Sequence, residues 1–148
     1  MGAFENLLSM RPDLDPGGQQ RHAHEALRAV VSRSNVHYWE AGDPVADHAR
    51  RVLIGIGVYV PGDLRLLDRL DQLLGSQRKY DDHRVDVFSI FDVQEAFEFE
   101  GMFPGIGNPI GVPIVGVWED GQLEEAAWGW SGREILLRVF PELTGAVE

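Results

Sequence analysis

Val112-Pro-Ile-Val-Gly-Val-Trp118, Glu119-Asp-Gly-Gln122 and Leu123-Glu-Glu-Ala-Ala-Trp-Gly-Trp130 follow one another without a break and decide the fold. The first run is apolar and β-branched, the mark of a buried strand. Asp120-Gly121 is a strong hairpin signal. The last run reads as the partner strand, through to Trp130. That places Trp128 and Trp130 on one face, across Gly129. Ser131, with Glu134 three residues on, reads as the capping box of a final helix. Ile135, Leu136, Val139 and Phe140 give that helix an apolar face, and Pro141 ends it.

Upstream, Val52-Leu-Ile-Gly-Ile-Gly-Val-Tyr-Val60 is a second continuous apolar run, broken at Pro61-Gly62. It reads as a strand buried on both faces. Asp63 reads as the N-cap of a helix carrying Leu64, Leu66, Leu67, Leu70, Leu73 and Leu74, closed by Gly75. Val85 to Phe91 is another core strand. Residues 93–100 read as a short helix, and Gly101 to Gly111 as a Gly/Pro-rich loop. Nearer the N-terminus, residues 19–32 have helical spacing, and Val36 to Glu40 reads as a short strand. Asp43 reads as a cap and Val45 to Arg50 as a helical turn. Residues 1–18 are an arm whose Phe4, Leu7 and Leu8 are suited to docking as a helical turn. Residues 19–148 are expected to be one domain. The order is strand, helix, strand, short helix, hairpin and helix. It predicts an α/β sandwich with a mixed sheet of four to five strands.

Composition narrows the chemistry. The chain has 148 residues, 44% hydrophobic and 25% charged, enough for one packed core. It has no cysteine, which excludes disulfides, thiol redox chemistry and Cys-ligated metals. Its net charge of −11 repels phosphate backbones, so no nucleic-acid partner is expected. Between Arg84 and Arg133 there is no Lys or Arg; that acidic span suits a basic partner or simply solubility. No apolar run is long enough for a membrane span, and a cytoplasmic location is expected. The bias to arginine, with Lys79 the one lysine, fits a GC-rich bacterial genome.

The order of elements resembles the thioredoxin fold. Pro113 matches that family's cis-proline, Asp120-Gly121 its polar turn, Gly129 its late strand glycine and Ser131 the cap of its last helix. Tyr59 falls where the family has Trp, and Val60-Pro-Gly-Asp63 where it has Cys-x-x-Cys. The resemblance covers about Val52 to Phe140. It implies a three-layer thioredoxin-like α/β sandwich ending in a β-hairpin and helix. It also removes the activity, because Val60 and Asp63 supply no thiolate. Members that lack the cysteines resemble binding or scaffolding proteins, assembly chaperones among them.

Candidate site residues follow, each with a plainer alternative. Pro113 is either a strand-edge proline or, as the resemblance implies, a cis-proline. Beside it, backbone pairing with an extended partner would need no cysteine. The candidate partner-binding groove is therefore Tyr59, Val60, Pro61, Gly62 and Asp63 against Val112 and Pro113. Asp63 alternatively serves only as a cap. Phe103 and Ile106 lie in the long loop, either folded onto the core or displayed as an apolar patch. Trp128 and Trp130 are candidate contacts or residues packed under the N-terminal arm. Gly105-Ile-Gly-Asn108 lacks the Lys and Ser/Thr of a phosphate loop, and Gly55-Ile-Gly57 lies inside a strand. His22 and His24 project about 200° apart on a helix and share no metal. His48 with Asp47 and Asp43 lacks a further ligand. Ser89 lies in a core strand, with no nucleophile elbow in the chain.

These residues lead to an expectation of a non-catalytic module that binds another protein, with no cofactor, metal, membrane or nucleic acid. Two alternatives stay open. One is a small-molecule enzyme using Asp63, Tyr59 or a histidine as acid or base, which a strongly shifted Asp63 would support. The other is a structural homo-oligomer built through Trp128, Trp130 and the hairpin edge.

Overall fold

The apolar runs form one mixed sheet. The computed structural model of the chain describes residues 2–10, 13, 15–39, 50–90, 103, 106 and 111–143. Helix α1 (Pro16–Val31) precedes strands β1 (His37–Tyr38) and β2 (Arg50–Ile56). Helix α2 (Pro61–Ser76) and strand β3 (His83–Ser89) follow. Strands β4 (Ile114–Glu119) and β5 (Gln122–Trp128) and helix α3 (Trp130–Val139) complete the order. The sheet order is β1-β3-β2-β4-β5. β1, β3 and β2 are parallel, while β4 runs antiparallel to β2 and to β5. The expected parallel βαβ unit, hairpin and final helix are all present.

β2 sits at the centre, which accounts for its unbroken apolar sequence. Val52 lies between Val85 and Val117, and Ile54 between Val87 and Val115. These side chains share one face and one core cluster with Leu27 of α1, Leu66 and Leu70 of α2 and Leu136 of α3. Period-2 alternation sends Leu53, Phe88, Ile114 and Trp118 to the other face. There they form a second cluster with Trp39, Ile90 and Phe103. The helix read over 93–100, and with it the second outer layer, lies outside the described residues. So do the Asp43 cap and residues 45–49 of the expected helical turn, whose last residue, Arg50, opens β2 instead.

Several boundaries differ from the expected ones for local reasons. α1 begins at Pro16, before Gln19, because the Asp15 carboxylate accepts from Gly18 N at 2.7 Å and caps it there. Phe4 and Leu7 are buried, and the 3-10 turn Glu5–Met10 is tied to α2. The Asp68 carboxylate accepts from Phe4 N and Glu5 N, each at 2.9 Å. Of the run Val36 to Glu40, only His37–Tyr38 pairs as strand, and Glu40 lies outside the described residues. β2 stops at Ile56, where the chain turns at Val58–Tyr59, well short of Val60. α2 runs one residue past Gly75. β4 starts after Pro113, which has no N–H to give a ladder.

At the hairpin, Asp120 (φ 51°) and Gly121 (φ 84°) both have positive φ, the arrangement that matches strand twist. At the end of β5, Gly129 (φ 66°) swings the chain into α3. Trp130 is therefore the first residue of a helix, not a strand residue sharing a face with Trp128. Gly129 takes the cap position in place of Ser131, and no side chain caps α3. Among the described residues no helix is long and apolar enough to cross a membrane.

Candidate functional site

The turn from β2 into α2 meets the loop before β4. Val60 N donates to Gly57 O at 3.0 Å, closing the turn. A Cβ on Gly57 would lie 2.5 Å from Val60 Cγ2 and 3.2 Å from Val112 Cγ2. Glycine is thus what lets the turn approach the loop. The Val112–Pro113 peptide is cis. On its far side, Pro113 O accepts from Gly129 N at 2.9 Å. A Cβ on Gly132 would stand 2.8 Å from the same oxygen. The loop is therefore held between the 57–63 turn and the start of α3.

Asp63 is not the N-cap of α2. Val60 holds that position, and the Asp63 side chain turns into the protein, 0% exposed. Its Oδ2 accepts from Gly57 N at 3.0 Å and its Oδ1 from Arg133 Nη2 at 3.2 Å. Burial pushes its pKa above the ordinary value of 3.8, outweighing the Gly57 N–H and the Arg133 guanidinium, which pull it down. The Arg133 guanidinium also lies over the Trp130 ring, 5.6 Å from its centroid.

The other candidates divide between surface and core. Tyr59, Val60, Gly62 and Val112 are half-buried, Pro61 is exposed and Pro113 is buried. Tyr59 Oη lies 3.0 Å from His22 Nδ1 on α1. Phe103 is folded onto the core, 1% exposed and 5.8 Å from the Trp118 ring centroid. Ile106, Trp128 and Trp130 border a cleft of about 440 Å³ with Ala126, Ala127 and Ser131. Trp130 is 62% exposed.

Three polar contacts were invisible to motif reading: Arg133 with Asp63, His22 with Tyr59, and His24 Nδ1 with the buried Ser89 Oγ. Their partners are 70, 37 and 65 residues apart. The one available signal was Arg133 itself, the first cation after the acidic span. Among the described residues, no group of three or more His, Asp or Glu is placed to hold a metal ion.

The five-strand order, with its terminal hairpin and helix, is thioredoxin-like, and the chain carries no cysteine. No protein-family model matches the chain, and no curated protein matches it. Solved structures that resemble it include the thioredoxin of Plasmodium falciparum, 12% identical. It covers 65% of this chain and 86% of its own, with a TM-score of 0.43. A mutant thioredoxin from Halobacterium salinarum is 18% identical, covering 72% and 86% respectively at a TM-score of 0.45. Full-length ERdj5 is 16% identical at a TM-score of 0.42; the likeness spans 74% of this chain and 15% of that one. Each is a loose likeness of shape and carries over no function.

Proposed function

We propose that the chain is a non-catalytic protein-binding module, an adaptor, assembly factor or complex subunit. On this reading it holds an extended partner segment where the Tyr59–Asp63 turn meets Val112–Pro113. The observation that carries the reading is the placement of Asp63. The one acid of the turn is buried, with a donor on each oxygen. What the turn offers to solvent is Tyr59, Val60 and Pro61, a surface of largely apolar side chains. Such a surface suits pairing with an extended chain.

The test is affinity capture from the native host followed by mass spectrometry, with Tyr59→Ala and Val112→Ser variants checked for native circular dichroism. A specific partner lost from both folded variants is the expected result. A partner that both retain would overturn the site.

The raised pKa of Asp63 favours a second reading, in which a protonated carboxyl serves as general acid for a small-molecule reaction. Its lack of exposure weighs against that reading. Solvent-accessible titration of Asp63, followed by carboxyl chemical shifts, would revive it.

A further inference from the structure

We propose that the outer edge of β5 is a second binding surface. It takes an extended basic segment of another protein as a sixth strand and receives one large apolar side chain in the Trp128–Trp130 cleft. β5 ends the sheet order, and among the described residues no strand pairs with its outer side. It is seven residues long. A free edge of this length is a template for pairing unless something blunts it. Gln122-Leu-Glu-Glu-Ala-Ala-Trp128 contains neither Lys nor Pro. Its protective charges are Glu124 and Glu125.

Charge selects the occupant. Arg133 and Arg138 of α3 are engaged by Asp63 and by Glu125, the latter pair at 2.5 Å, and Arg50 of β2 is engaged by Glu119. Glu124 and Asp120 remain at the surface. The chain carries −11 overall. A second copy would bring the same acid edge and the same net charge, so self-pairing is opposed. A basic strand is attracted instead. At the end of the edge, a shallow, open cleft of about 440 Å³ is lined by Ala126, Ala127, Trp128, Trp130, Ser131 and Ile106. The Arg133 guanidinium lies over the Trp130 ring. An aromatic wall beside a paired backbone is what an apolar anchor residue requires. No residue of the 57–63 turn lines this cleft.

The probe is a capped Lys-Val-Lys-Ile-Lys-Val peptide, with a Glu-for-Lys peptide as control. Binding is followed by tryptophan fluorescence and located by amide hydrogen exchange. We expect slowed exchange within residues 122–128 and binding at least about tenfold tighter for the Lys peptide. Trp130→Ala and Glu124→Lys are both surface changes that leave the core intact. Each should weaken binding, Trp130→Ala by about tenfold. Tyr59→Ala should leave it unchanged, which separates this edge from the groove proposed above. Equal binding of both peptides would overturn the proposal, as would absence of protection at 122–128. A concentration-dependent dimer that protects those same amides would assign the edge to a second copy instead.

Discussion

Arg133 Nη2 donates to Asp63 Oδ1 across 3.2 Å, joining the first turn of α3 to the first turn of α2. A Cβ on Gly62 would lie 3.1 Å from the same guanidinium nitrogen. The two helices that flank the candidate groove are thus tied through one side chain.

Stability should follow the titration of Asp63 with a definite sign. Its folded-state pKa lies above the unfolded value near 3.8. Between those two values the folded protein keeps a proton that the unfolded chain has lost. This group's contribution to stability therefore falls as pH rises through that window, and is flat outside it. Urea denaturation at stepped pH should show wild type losing stability relative to Asp63→Asn across the window. Arg133→Ala should extend the window upward, because it removes a group that lowers the pKa. A slope of opposite sign would mean that the anion is the favoured buried form.

Arg51 and Asp86 make a buried pair on the face of the sheet away from α2, Nε to Oδ2 at 2.8 Å. Arg51 is 1% exposed. Arg51→Met leaves the Asp86 carboxylate with Arg84, whose Nε is 3.2 Å away. A cost of about 3 kcal/mol is expected, the low end for breaking a buried pair. Arg51→Met with Asp86→Leu should cost less than the sum of the single changes, by about 1–3 kcal/mol. Chemical denaturation of the four proteins measures the coupling.

Gly116 lies under two rings. A Cβ there would stand 2.6 Å from Phe103 Cε1 and 2.7 Å from Trp118 Cζ3. Replacing Gly with Ala removes unfolded-state entropy, a gain of about 0.4–1 kcal/mol. Overpacking costs about 1–3 kcal/mol and wins. Gly116→Ala should lower the denaturation midpoint, and near-ultraviolet circular dichroism should report a shifted Trp118.

The Tyr59 hydroxyl meets His22 Nδ1 at 3.0 Å. Tyr59→Phe should destabilise by about 0.5–1.5 kcal/mol. It keeps the ring and should therefore keep partner binding, in contrast to Tyr59→Ala. Loss of binding in Tyr59→Phe would assign the contact to the hydroxyl.

The sheet was legible because β2 and β4 are buried on both faces and spell continuous apolar runs, and because Asp120-Gly121 fits one turn geometry. Helix starts were less legible. Asp63 and Ser131 have the chemistry of caps, yet each lies inside its helix. Asp63 is drawn inward by Gly57 and Arg133, partners that local sequence does not specify. Trp130 reads as a strand residue because Gly129 fits a strand or a corner alike, and its positive φ makes it the corner. At the candidate site, the approach of the 57–63 turn to the Val112 loop followed from matching the two segments to one scaffold. The Arg133 tie did not, because it spans 70 residues.

The central place of β2 sets an order on synthesis. One edge of β2 is completed by β3, which follows α2 directly. The other is completed only by β4, as in the pairing of Arg50 with Glu119, 69 residues away. Until residues 114–119 leave the ribosome, the Val52–Ile56 segment has an open apolar edge of the kind that nucleates aggregation. A nascent chain stalled before β4 therefore exposes one apolar edge of its central strand.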